Sequence, residues 1–193
     1  MTLSRVLMAA TPLILVACAP AAQSDPDLFD RLSAYCGQAF EGEVTSEDER
    51  DADFASERLV MNVRECGETE LRVPFHVGED RSRTWVITRL PEGGLRLKHD
   101  HRHEDGSEDV LTQYGGDTVG PAGAIRADFP ADAESQALFE REGIPVSMAN
   151  VWSITLSEDS FIYALDRPNR HFAVEFDLTE PVEIPPAPWG AED

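Results

Sequence analysis

Ten short runs of alternating apolar and polar residues, each bounded by turn-forming residues, dominate this chain from residue 40 onward. Alternation with a period of two is typical of a β-strand that buries one face. Glycine, proline, asparagine and aspartate separate most of the runs and predict tight connections. The sequence therefore predicts an all-β domain. Its strands are expected over residues 40–44, 59–65, 70–77, 83–90, 95–104, 110–114, 124–129, 151–156, 161–166 and 171–178.

Two helical segments accompany the strands. Residues 27–36 carry apolar side chains on one face, and Asp25 or Asp27 is positioned to cap the first turn. Residues 132–142 form the second segment, which interrupts the series of strands. Because a meander of tightly connected strands exposes its edges unless it closes, we predict an antiparallel meander closed into a barrel of about ten strands. A two-sheet β-sandwich is the alternative fold.

Two resemblances extend this interpretation. A short helix followed by a β-meander over residues 27–178 resembles the calycin barrels, the superfamily of lipocalins and fatty-acid-binding proteins. That resemblance implies a calycin-like barrel, although lipocalins carry Gly-x-Trp where this chain has Gly37-Gln38-Ala39-Phe40. The run from Arg83 to Gly116 is similar to uncharacterised exported bacterial proteins, which implies export and no particular activity.

The N-terminus has the layout of an export signal. Arg5 supplies a positive charge, and the apolar run from residue 6 to residue 16 is too short to span a bilayer. Leu15-Val16-Ala17-Cys18 resembles the lipobox of bacterial lipoproteins. The resemblance implies a signal peptide over residues 1–17 and a mature chain that begins with lipidated Cys18. An ordinary secretory peptide cleaved nearby is the alternative.

These boundaries divide the chain into four parts and predict its location. After the signal peptide, residues 18–26 form a tether, residues 27–178 a single domain, and residues 179–193 a proline-rich tail across the outside of that domain. In bacterial lipoproteins, Ala19 rather than aspartate after the lipidated cysteine favours the outer membrane. We therefore expect a protein anchored in the outer membrane through acylated Cys18, with membrane lipid as its partner and facing the periplasm.

The net charge and the cysteine content indicate which partners and which cellular compartment to expect. The formal net charge of -21 repels nucleic acid and anionic lipid headgroups, so nucleic acid is not an expected partner. Besides Cys18, the chain contains Cys36 and Cys66, and exported domains are the setting in which disulfides persist. We predict a structural Cys36–Cys66 disulfide, since the sequence has no Cys-x-x-Cys redox motif.

The segment from Leu95 to Glu104 is chemically the most suggestive part of the sequence. Because side chains alternate between faces along a strand, His99, His101 and His103 share one face with two leucines. The opposite face is wholly charged and must meet water. We therefore expect the three imidazoles to point into the barrel.

The neighbouring strands determine what faces the histidines. A two-residue turn at Asp105-Gly106 predicts four inward-facing pairs. These are His103 with Glu108, His101 with Val110, His99 with Thr112 and Leu97 with Tyr114. On the preceding strand, burial of the tryptophan favours Trp85 and Ile87 beside the histidines over Val86 and Thr88. The inner row would then run from a packed apolar bottom to a polar mouth.

Three interpretations of this row stay open. As a metal site, His101, His103 and Glu108 would bind zinc or copper, and a zinc ion could activate water for hydrolysis. As a structural network, the imidazoles would form hydrogen bonds with their neighbours and bind nothing. As a ligand pocket, the row would orient a small molecule in an otherwise apolar cavity. That pocket would be lined by His99, His101, His103, Glu108, Thr112 and Tyr114.

These interpretations lead to two functions of different classes. The first is a non-enzymatic envelope lipoprotein that binds a small ligand or serves as an accessory or structural protein. The second is a zinc-dependent hydrolase that uses the His-x-His strand. The remaining histidines, His76 and His171, alternate with apolar residues on other strands, so both are predicted to be solvated.

Overall fold

The alternating apolar pattern folds into strands at most of the predicted positions. A computed structural model describes residues 25–192, so the predicted signal peptide, Cys18 and most of the tether lie outside the described residues. The helices are α1 (Leu28–Ser33), α2 (Ala52–Ala55) and α3 (Ala133–Arg141), with 3-10 turns at Glu49–Asp51 and Pro145–Ala149. The strands are β1 (Ala39–Val44), β2 (Leu59–Asn62), β3 (Glu65–Cys66), β4 (Glu70–Val77), β5 (Asp80–Arg89), β6 (Leu95–His101), β7 (Tyr114–Asp117), β8 (Arg126–Pro130), β9 (Val151–Leu156), β10 (Ser160–Arg167) and β11 (Arg170–Val182).

The strands form one antiparallel sheet that curves into a nearly closed barrel. Neighbours pair in the order β7, β6, β5, β4, β2, β1, β11, β10, β9, β8. The path is therefore a meander in which β11 returns to β1, and the chain neighbours β7 and β8 lie at its two ends. The short strand β3 pairs only with β4 and lies outside this path. The predicted all-β meander closed into a barrel is confirmed, and the two-sheet sandwich is not formed.

The seam between β7 and β8 closes through α3 rather than through a strand ladder. Ser135 Oγ donates to the Gly115 carbonyl oxygen at 2.9 Å and accepts from the Gly115 N–H at 2.8 Å. The Asp132 N–H donates to the same carbonyl at 2.9 Å. Gly116 permits this close approach, because a Cβ there would lie 1.8 Å from the Pro130 carbonyl oxygen. The first turn of α3 therefore completes the barrel wall.

Helix α1 covers one end of the barrel. Asp27 and Asp30 form its capping box, and its three buried apolar side chains join the core. Arg89, at the end of β5, makes ion pairs with both of these carboxylates, the contact with Asp30 being 2.7 Å. These contacts attach the helix to the sheet and leave the opposite end of the barrel as the mouth.

The predicted disulfide between Cys36 and Cys66 is confirmed. It joins the residues after α1 to β3 across a sequence separation of 30 residues. In the chain-entropy account, closing a loop of this length contributes about 3–4 kcal/mol to stability. No helix within residues 25–192 is both long and apolar enough to cross a membrane.

The last strand is longer than predicted and extends past residue 178. Strand β11 continues to Val182, where it still pairs with Ala39 of β1. The chain then crosses the outside of the barrel, and the Trp189 N–H donates to the Arg81 carbonyl oxygen at 3.1 Å.

The prediction of a solvated His76 is wrong, because this side chain is only 4% exposed on the outer face of β4. His171 is exposed, as predicted, and its Nδ1 lies 2.8 Å from Asp166.

Candidate functional site

The inward-facing rows of four strands end in polar side chains at the mouth. Each row consists of every second residue of its strand and runs from the apolar core to the open end of the barrel. The rows are Ile87, Trp85 and Arg83 on β5; Leu97, His99 and His101 on β6; Tyr163, Leu165 and Arg167 on β10; and Val174, Phe172 and Arg170 on β11. As predicted, Trp85 pairs with His99 and Ile87 pairs with Leu97.

A cavity of about 300 Å³ lies within this end of the barrel. Aromatic rings form much of its wall and are supplied by Phe54, Phe75, Trp85, Tyr114, Phe139, Trp152, Tyr163 and Phe172. Trp85 stacks on Tyr163 with 4.4 Å between ring centroids and on Phe75 with 4.9 Å. Small-molecule sites occupy roughly 300–1,000 Å³ and combine apolar walls with a few polar groups. This cavity has both features, at the lower end of that size range.

His99 is part of the cavity wall and is fully hydrogen-bonded. Its Nδ1 lies 3.1 Å from the carbonyl oxygen of Tyr114, which can only accept, so Nδ1 carries the proton. Its Nε2 therefore accepts from the Tyr163 hydroxyl at 2.7 Å. Burial, together with the neighbouring His101, lowers the pKa of His99 to about 3. This pairing agrees with the structural-network interpretation for His99.

His101 lies nearer the mouth and keeps more of its hydrogen-bonding capacity. Its Nε2 lies 3.3 Å from the Tyr114 hydroxyl, and its backbone N–H donates to Thr112 Oγ1 at 2.8 Å. Burial and the positive charge of Arg83 lower the pKa of His101 to about 4. Burial also raises the pKa of Tyr114 well above its usual range. At neutral pH these groups therefore present uncharged donors and acceptors to the cavity.

The predicted two-residue hairpin after β6 is wrong. Strand β7 begins only at Tyr114, which pairs with His99 in place of Thr112. The Asp109 N–H donates to His101 O at 3.0 Å and the Gln113 N–H donates to His99 O at 2.6 Å. Residues 110–112 therefore bulge out of the ladder, and Gln113 takes a left-handed φ of 55° to rejoin it. The shift is by two residues, so Tyr114 keeps the inward orientation that was predicted.

The structure does not bring the predicted metal ligands together. His103 is 55% exposed, and its Nδ1 lies 3.9 Å from Asp109. Glu108 instead forms an ion pair with Arg102 at 3.3 Å. Arg102 follows the last residue of β6 on its charged outer face, and its backbone pairs with that of Glu108. No group of three or more potential metal-ligating side chains occurs within residues 25–192. The zinc site proposed for His101, His103 and Glu108 is therefore not formed.

The six predicted pocket residues divide equally between the cavity and other positions. His99, His101 and Tyr114 line the cavity. Thr112 contributes only a hydroxyl that accepts from the backbone of His101, while His103 and Glu108 lie outside the cavity because the chain leaves the ladder after His101. The prediction is therefore correct for the inner part of the polar wall and wrong for the part nearest the mouth.

Three arginines complete the mouth and were missed by sequence reasoning. Arg83, Arg167 and Arg170 all line the cavity. Each stands two residues from an inward-facing aromatic or leucine side chain, so extending the alternation to the strand ends would have found them. Arg170 forms an ion pair with buried Asp51, and Arg83 forms one with Asp80.

Comparison with known proteins adds no functional information. No protein-family model, curated protein or solved structure matches the chain. The features that bear on function are therefore the cavity itself, its aromatic walls and the charges at its mouth.

Proposed function

We propose that this chain is a non-enzymatic, lipid-anchored protein of the cell envelope that binds a small molecule in the barrel cavity. The observation that carries the proposal is the cavity of about 300 Å³, which has aromatic walls and opens at a polar mouth. The wall is supported from behind by stacked rings and by the His99 hydrogen bonds, which favours a preformed site.

A neutral fluorescent dye provides the direct test. N-phenyl-1-naphthylamine brightens when it leaves water, and we expect it to bind the protein saturably with one dye per chain. Leu111 lines the cavity, so Leu111→Trp should fill the mouth and abolish binding. Val110→Trp is the matched control, because the neighbouring Val110 is 65% exposed and does not line the cavity. Absence of saturable binding, or full binding by Leu111→Trp, would contradict the proposal.

The lipid anchor forms the second part of the proposal. It is supported by the lipobox-like Leu15-Val16-Ala17-Cys18 and by Ala19, which favours the outer membrane. The Cys36–Cys66 disulfide supports an oxidising compartment such as the periplasm. Acyl chains would supply the membrane affinity that the strongly negative surface cannot provide.

The anchor is tested by expressing the full chain in a Gram-negative bacterium and determining the mass of its mature N-terminal peptide. We expect an acylated Cys18 and recovery of the protein with outer membranes. Cys18→Ser should remove both the added mass and the membrane association. A wild-type protein cleaved elsewhere and released unmodified would instead establish the ordinary secretory peptide.

A further inference from the structure

One arginine at the mouth differs from the other two in its partners. Arg83 and Arg170 are each neutralised by a carboxylate, Asp80 and Asp51 respectively. Within residues 25–192, no carboxylate lies within ion-pair distance of Arg167. Its only side-chain partners there are neutral: Nη1 donates to Ser147 Oγ at 3.1 Å and to Asn150 Oδ1 at 3.2 Å. The cavity therefore contains a positive charge without a counter-charge.

The two hydrogen bonds of Nη1 leave the Nε–Nη2 edge of the Arg167 guanidinium group available to a ligand. Both protons of Nη1 are directed to Ser147 and Asn150, and the described chain offers no acceptor to Nη2 or Nε. Those two nitrogens form the fork that binds a carboxylate through two parallel hydrogen bonds. Ser147 and Asn150 are buried and hold the group in place, so little side-chain entropy is lost when an anion binds.

The surroundings of Arg167 strengthen its attraction for an anion. Burial and the charges of Arg170 and Arg50 lower the pKa of Arg167, which shows that its positive charge is poorly compensated. Charge pairs are stronger in a poorly hydrated, aromatic-walled cavity than in water. Asp109 also faces this end of the barrel, where its charge acts on His101 and Tyr114, and its Oδ1 accepts from the Leu111 N–H at 2.7 Å.

We infer that the ligand of this cavity is a small aromatic acid whose carboxylate binds Arg167 and whose planar ring system packs between the aromatic walls. The inference rests on the proposed function and adds the chemical class of the ligand. The stacked walls favour a flat apolar body, since rings in contact with Trp85, Trp152 and Phe172 gain both burial and stacking. The cavity volume of about 300 Å³ limits that body to a few fused or linked rings.

The test uses 2-naphthoate and its neutral isostere 2-naphthamide as competitors of bound N-phenyl-1-naphthylamine. We expect the carboxylate to displace the dye roughly tenfold to a hundredfold more effectively than the amide, as for a charge-assisted hydrogen-bonded pair. Arg167→Gln should remove this difference once each displacement is corrected for the variant's own affinity for the dye, and a wild-type circular dichroism spectrum shows that the variant is folded. Arg126→Gln is the matched control, because Arg126 is exposed on β8 and binds Asp128.

The possible results separate the two proposals. Equal displacement by acid and amide from a wild-type protein that binds the dye overturns the aromatic-acid inference and leaves the cavity as a binding site. Equal loss of naphthoate binding in Arg126→Gln and Arg167→Gln also overturns it, because a general charge effect would then explain the preference. Failure of the dye and of both competitors to bind overturns the proposed function as well.

Discussion

The substitution Tyr163→Phe removes one oxygen atom from the wall of the cavity. The Tyr163 hydroxyl donates to His99 Nε2 at 2.7 Å, and His99 is buried with its other nitrogen already bound to the Tyr114 carbonyl. The change therefore leaves a buried acceptor without its donor, which costs about 1–3 kcal/mol. For a chain of this size, each kcal/mol corresponds to roughly 2–4 °C in melting temperature.

Urea unfolding followed by circular dichroism measures this loss directly. Tyr35→Phe is the matched control, because the Tyr35 hydroxyl is part-exposed and reaches only the Glu158 carbonyl oxygen at a long 3.4 Å. We expect the control to change the free energy of unfolding by less than about 0.5 kcal/mol. If Tyr163→Phe were as mild as Tyr35→Phe, the His99 hydrogen bonds would not hold the cavity wall as described.

Three further predictions concern the rest of the barrel. Burial and the charges of Arg81 and Arg64 lower the pKa of His76 to about 4 from 6.5, so the unfolded chain binds the extra proton and stability falls as pH drops from 6.5 towards 4. His76→Gln should flatten this dependence of the unfolding free energy by about 1 kcal/mol per pH unit, and an unchanged slope would contradict this account of His76. Gly116→Ala should destabilise the protein by about 1–3 kcal/mol in urea, because its Cβ would collide with the Pro130 carbonyl, and an unchanged midpoint would contradict the closed seam. Replacing Cys36 and Cys66 together by serine should cost about 3–4 kcal/mol in the same assay, and a much smaller loss would mean that the unfolded chain is already restrained.

Local alternation was sufficient to predict most of the strands and most of the inner face of the barrel, but not the segment between His101 and Tyr114. The apolar pattern placed Trp85 and Ile87 beside the histidine strand, and both pairings occur. Alternation succeeds because a strand with one buried face encodes that face in every second residue. The same rule would have found Arg167 if the row Tyr163, Leu165 had been continued to the end of β10.

The errors arise where contacts distant in sequence decide the conformation. Asp105-Gly106 does form a turn, since the Gly106 N–H donates to the His103 carbonyl oxygen at 2.9 Å. The strands do not continue through it, and the ladder resumes only at Tyr114. Arg102 lies on the outer face beside buried Asp100, which also binds Arg72 from β4 at 2.6 Å. A local turn signal contains no information about such pairing between distant strands.

Burial and charge compensation also depend on distant segments. His76 alternates with core residues in the sequence, as a solvated side chain would, yet the outer face around it is buried. The sequence also does not show that Arg167 has no carboxylate partner within residues 25–192. Its neighbour Asp166 forms an ion pair with His171 instead, and the side-chain partners of Arg167 are Ser147 and Asn150. Both features become apparent only when the barrel is closed.

The central claim, that the barrel cavity is a binding site, is tested most directly by the three indole N–H signals in a proton–nitrogen NMR spectrum. Trp85 and Trp152 line the cavity, whereas Trp189 lies on the outside of the barrel and serves as an internal control. On addition of the neutral dye N-phenyl-1-naphthylamine, we predict saturable shifts of the Trp85 and Trp152 signals and an unmoved Trp189 signal. Three unmoved signals, or a shift confined to Trp189, would contradict the account.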